Sequence, residues 1–184
     1  MTIGTSSDSF LDYIEEETAK SAAEIRGCAP RCLSPLMKYL NLADQTTIEV
    51  LQKAALPLSG GIVQGYGTCG ALLGGIMAIG IALFDGKVED APREKMMVLN
   101  EECRKYYRIF EKEIGHARCF DIRQAGLGRC FDTADPGEYD RFVEAGGHEL
   151  CAKVVAKAAR LAANLILEMQ PYRKEVAFNQ KAPK

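Results

Sequence analysis

The chain has 184 residues, 47% of them hydrophobic, and a net charge of −2 with both signs spread along it. That length suffices for one domain with a core of its own, and the charge balance excludes the basic footprint that nucleic acid or an anionic membrane demands. There is no tryptophan, and aromatic and basic residues do not interleave as they do where bases stack.

The first ten residues lack the basic and apolar regions of a secretory leader, so a cytoplasmic location is expected. Seven cysteines are many for such a chain, the number is odd, and a reducing compartment disfavours structural disulfides. They are read as buried inert thiols, metal ligands or redox thiols.

Residues 1 to about 8 are expected to be disordered. Asp8 or Ser9 can cap a helix running to about Arg26, with Phe10, Ile14, Ala22 and Ile25 inward, and Gly27 stops it. After Cys28-Ala29-Pro30-Arg31-Cys32 a second helical pattern spans residues 33–42. Pro30 and Pro35 restrict where it can begin, which places Cys32 at or near a helix N-terminus. A third helix, about residues 46–55, opens on a capping box of Thr46 and Glu49 and closes before Pro57.

The stretch from Gly60 to Phe84 carries no charged residue and holds eight of the 17 glycines. It reads as a glycine loop feeding a helix at Thr68, whose hydroxyl can cap the first turn, with Cys69 inside that turn. Gly70, Ala71, Gly74, Gly75, Ala78 and Ala82 recur at helical spacing and let other backbones approach, while large apolar residues surround the rest. A helix apolar all round is expected to be buried at the centre of the fold. A membrane span is the alternative, but this glycine-rich run is shorter than the roughly 20 strongly apolar residues a bilayer requires.

After a turn at Asp85-Gly86, Pro92 starts the longest amphipathic helix. Met96, Leu99, Cys103, Tyr106, Phe110 and Ile114 fall on it at three- and four-residue steps, and Gly115 ends it. Residues 116–133 read as an irregular loop with a turn or two of helix around 119–123 before Gly126. Asp135-Pro136 starts a short helix that breaks at Gly146-Gly147. The last helix, residues 148–170, turns Cys151, Val154, Val155, Ala158, Leu161, Ala162, Leu165 and Met169 inward, and Pro171 stops it. Residues 172–184 are expected to be a mobile polar tail, leaving one domain over residues 1–171. No alternating strand pattern of useful length occurs, so the fold class is all-α, a helical bundle around a central buried glycine-rich helix.

Cys32, Cys69, Cys119 and Cys151 each fall at or near a predicted helix start. Four N-termini turned inward would make a positive pocket for thiolates or an anionic thiolate-ligated cluster, although each thiol is equally readable as a small buried hydrophobe. Cys103, on an apolar stripe, reads as core. Cys28 with Cys32, and Cys119 with Cys130, are weaker candidates for redox pairs. No zinc-ribbon or ferredoxin spacing and no C-x-x-C-H haem attachment occurs, so no haem is expected. His148 stands one turn before Cys151 and could orient it or act as a base, a helix cap being the plainer reading. The glycines at 60, 61, 65 and 67 follow no strand and precede no Gly-Lys-Ser/Thr, so no nucleotide site is expected.

Cys32, Gly60-Gly61, the run Thr68-Cys69-Gly70-Ala71-Leu72-Leu73-Gly74-Gly75, Cys119 and Cys151 together resemble the redox-active C-GCAxxG-C-C family over about residues 20–168, with Thr68 where the family label has glycine. The resemblance implies a helical redox protein of anaerobic bacteria or archaea, related to the cluster-binding part of a split-Soret cytochrome. It makes Cys32, Cys69, Cys119 and Cys151 candidate ligands of an iron–sulfur cluster, with Thr68 and Gly70 beside it and a redox protein as partner. The same thiols could instead cycle between dithiol and disulfide, with Cys69 as nucleophile because a helix N-terminus lowers its pKa. The competing reading is a helical partner-binding or homodimerisation module whose cysteines are structural, and a structural zinc site is a third.

Overall fold

A computed structural model describes residues 4–84 and 87–169. Over these residues the chain forms eight α-helices: α1 (Gly4–Lys20), α2 (Cys28–Tyr39), α3 (Gln45–Ala55), α4 (Gly70–Leu83), α5 (Arg93–Ile114), α6 (Cys119–Leu127), α7 (Pro136–Glu144) and α8 (Gly147–Glu168). The fold is all-α, and no helix among the described residues is long and apolar enough to cross a membrane. The expected turn at Asp85-Gly86, the stop at Pro171 and the tail at residues 172–184 lie outside the described residues.

Where local chemistry is strong, helix ends fall where the sequence puts them. α5 begins after Pro92 and closes on Gly115 in the left-handed region, at φ 93°. Asp135 caps α7 by accepting the Glu138 amide at 2.9 Å. α3 is capped by Asp44 rather than Thr46, its carboxylate accepting the Thr47 amide at 2.7 Å, an arrangement that contributes about 1 kcal/mol.

Other boundaries move. α1 opens at Gly4 and ends at Lys20, followed by a tight turn over Ser21–Ala23 that leaves Ala22 exposed instead of inward. α2 begins at Cys28, not after the prolines, because a proline in the first helical turn lacks only an amide that has no partner there anyway. Gly27, at φ 84°, turns the chain into it. Pro35 sits inside the helix, where a proline costs a backbone bond. The unbroken burial of residues 29–37 outweighs that loss. The loop expected over 116–133 contains α6, with Gly126 inside it. A Cβ on Gly126 would stand 2.7 Å from a methyl of Leu150, so the missing side chain lets α8 close in.

The helix on which the others assemble also differs from the one expected. α8 packs against α1, α2, α4, α5, α6 and α7, whereas α4 packs chiefly on α2, α8 and α5. α8 can meet neighbours in several directions because Ala156, Ala158, Ala159, Ala162 and Ala163 keep its buried flanks slim. α4 buries Gly70, Ala71, Leu72, Gly74, Gly75, Ala78, Ile79 and Leu83 but leaves Leu73, Ile76, Met77 and Ile81 half-buried. Its glycines work on the α2 side: a Cβ on Gly74 would lie 2.5 Å from the Ala29 carbonyl oxygen and 3.0 Å from Cys32 Cβ. One on Gly75 would collide with the ring of Tyr106, which is fully buried and donates its hydroxyl to the Ala158 carbonyl at 3.1 Å.

Candidate functional site

Three helix starts carry thiols. Cys28 is the first residue of α2, Cys119 the first of α6, and Cys69 the residue immediately before α4. Thr68, expected to cap α4, instead forms an isolated antiparallel bridge with Arg118. Around that bridge the Cys69 amide donates to the Ala117 carbonyl at 2.8 Å and the Cys119 amide to the Gly67 carbonyl at 2.7 Å. Two cysteines far apart in the chain are thereby brought side by side. Cys32 and Cys151 lie one turn inside their helices rather than at the N-termini.

Cys28 is the focus of the group. Its sulfur rests over Gly70, where a Cβ would stand 2.5 Å from it, so the missing side chain makes room for the thiol. Cys28 is also near enough to raise the pKa of Cys32, Cys69, Cys119 and Cys151. All seven cysteines are unpaired. The sequence reading set Cys28 outside the group. The signal that could have found it is Gly27, which stops one helix and starts the next immediately before this thiol.

Burial governs the thiols. It pushes Cys32 and Cys69 far above the ordinary thiol range, and neighbouring thiols push the same way. At Cys69 the amides of Leu72 and Ala71 pull downward and lose, because the residue is only 6% exposed. The helix-terminus argument for Cys69 as a ready nucleophile is therefore overridden by desolvation. Burial pushes Cys119 up to about 12 against the pull of Arg123. Cys151 is also raised by burial, with Arg123 beside it opposing.

Cys28 and Cys151 are half-buried and line one cleft of ≈ 570 Å³, shared with Arg31, Ser59, Arg123 and His148. Both arginines follow a helix-starting cysteine by about one turn, Arg31 after Cys28 and Arg123 after Cys119, a pattern visible in the sequence and passed over there. The Arg123 guanidinium lies 4.6 Å from the ring centre of Phe142 and 5.3 Å from that of Tyr66, a cation–π arrangement that holds its plane. Tyr66 is itself pinned, donating its hydroxyl to Asp132 Oδ1 at 3.0 Å and accepting the Thr133 amide at 2.8 Å. His148 Nε2 lies 3.1 Å from the Tyr139 hydroxyl, at the same cleft as Cys151.

The loop before α4 supplies the opposite wall. Ile62, Val63, Gln64 and Tyr66 all have positive φ, which costs roughly 1–2 kcal/mol for each such residue. The turn brings Gly60 and Gln64 to the cleft, where Gln64 Oε1 accepts the Thr133 hydroxyl at 2.9 Å. Among the described residues, no group of three or more His, Cys, Asp or Glu side chains is placed to hold a metal ion.

A family model described as "Putative redox-active protein (C_GCAxxG_C_C)" matches residues 27–165. No curated protein and no solved structure matches the chain. The matched span opens at the residue that turns the chain into α2, closes within α8 and encloses all seven cysteines. With that match over most of its length, the chain belongs to the redox-active C_GCAxxG_C_C family.

Proposed function

We propose that this protein exchanges electrons by thiol–disulfide chemistry, with Cys28 and Cys151 as the working pair and a partner disulfide as oxidant. The observation that carries the reading is that two half-buried thiols from different helices line one cleft together with two arginines. Arg31 and Arg123 line that cleft with both thiols, and a thiolate is the attacking species in such exchange.

The Cys28 thiolate attacks one sulfur of the partner disulfide. The partner S–S bond breaks, one sulfur leaves as thiolate, and a mixed disulfide remains on Cys28. The Cys151 thiolate then attacks the Cys28 sulfur and expels the second partner thiolate. Two protein thiols lose two electrons and two protons and become one disulfide, while the partner disulfide takes them up and becomes two thiols. Cys32, Cys69 and Cys119 stay protonated behind the pair.

The test is anaerobic purification followed by iron and acid-labile sulfide analysis and by mapping of disulfides across a redox titration. The expected result is iron-free protein with one reversible two-electron couple that is lost in both Cys28→Ser and Cys151→Ser. Stoichiometric iron and sulfide with visible absorbance would transfer the function to an iron–sulfur cluster on Cys32, Cys69, Cys119 and Cys151. A protein with neither couple nor cluster would be a helical partner-binding module.

A further inference from the structure

We infer that the cleft beside Cys28 and Cys151 is an anion-recognition site, and that the disulfide it takes is a small molecule carrying carboxylate groups. This rests on the thiol–disulfide reading above and names its substrate class.

Arg31 and Arg123 are 9% and 6% exposed. Nevertheless Arg31 Nε and Nη2, Arg123 Nε and Ser59 Oγ have no hydrogen-bond partner. Each unmade bond to a buried donor costs roughly 1–3 kcal/mol, and more where the donor is charged. All three residues line the cleft. Four unsatisfied buried polar atoms on three residues that line one cleft are explained if a ligand entering it completes them.

The ligand must be anionic. Guanidinium groups donate only and never deprotonate in this setting, and carboxylates match their paired N–H geometry. No internal carboxylate satisfies them: the groups acting on Arg31 are Cys151 and Cys28, and those on Arg123 are Cys119, Cys151, Cys130 and Tyr66. Among the described residues Glu24 is the one acid along the cleft wall, and it is exposed. The first turn of α2 adds amides without helical partners.

The ligand must also be small. A cleft of ≈ 570 Å³ lies in the range of small-molecule sites, and donors sunk this far below the surface are reached by a compact anion rather than by a broad protein face. Placing its carboxylate on the arginines sets its sulfur beside the two half-buried thiols.

The experiment offers the reduced protein three small disulfides of similar size and different charge: dithiodiglycolate, which is anionic, 2-hydroxyethyl disulfide, which is neutral, and cystamine, which is cationic. The rate of mixed-disulfide formation at Cys28 and Cys151 is read by mass spectrometry at fixed ionic strength. The anion is expected to react about tenfold faster than the cation or better, with the preference lost in Arg31→Gln and Arg123→Gln. Because those variants could fail to fold, adipate, a dicarboxylate without sulfur, is added to the wild-type protein. It is expected to slow dithiodiglycolate and to leave cystamine unaffected. Equal rates for the three disulfides, or no effect of adipate, would overturn the anion site and leave thiol exchange standing. Reaction with none of them would overturn thiol exchange. Calorimetric titration with adipate then decides the anion site by itself, with heat of binding supporting it and none overturning it.

Discussion

Cys28 and Cys32 are one turn apart on α2 and share a face of it, yet they occupy different media. Cys32 is sealed against Gly74 of α4, with no exposure, and its thiol is pushed far up by burial. Cys28, about one helical pitch away, opens into the cleft with Arg31 and Arg123. The same residue type on the same helix is a packing group in one place and an accessible thiol in the other. Desolvation separates them, because losing water penalises a thiolate by more than a helix terminus favours it.

The largest effect expected from this contrast is on alkaline stability. Cys32, Cys69 and Cys119 hold their protons more tightly folded than unfolded. Their contribution is therefore complete below the ordinary thiol range near about pH 8.5 and is lost as pH rises through the folded values, at a rate of about 1.4 kcal/mol per pH unit for each thiol. Urea unfolding of the reduced, metal-free protein at a series of pH values measures this, and a flat profile between neutral and strongly alkaline pH would show that water reaches these sulfurs.

Next comes the close contact itself. Gly74→Ala drives a Cβ to 2.5 Å from the Ala29 carbonyl, a backbone atom that cannot swing aside, so a loss of about 3 kcal/mol is expected in urea melts. An unchanged midpoint would mean that α2 and α4 are not in this contact.

Thiol accessibility sharpens the comparison directly. In native protein, iodoacetamide should label Cys28 and Cys151 about tenfold or more faster than Cys32 and Cys69, as read by peptide mass spectrometry. If Cys69 reacts first, the helix terminus outweighs burial after all.

The smallest effect has the opposite sign. Gly80 lies on the same glycine-rich helix, but a Cβ there meets nothing within 4 Å. Gly80→Ala should therefore stabilise by up to about 1 kcal/mol through helix propensity, a shift that thermal melts resolve. Paired with Gly74→Ala, it tests whether the glycines of α4 serve contact with α2 or helix geometry in general.

The sequence by itself determined whatever depends on a few neighbouring residues. The all-α class, the ends of α5 at Pro92 and Gly115, the start of α7 at Asp135-Pro136 and the break at Gly146 follow from capping, backbone freedom and helical periodicity, all local properties. The run around Cys69 likewise sufficed to recognise the family. The tertiary structure alone decided that alanine-rich α8 rather than glycine-rich α4 meets six other helices, that Cys28 stands at the focus of the thiols, and that two arginines share a cleft with them. The reason is physical: a thiol's reactivity and a guanidinium's need for a partner depend on burial, and burial is set by what packs against a residue from elsewhere in the chain.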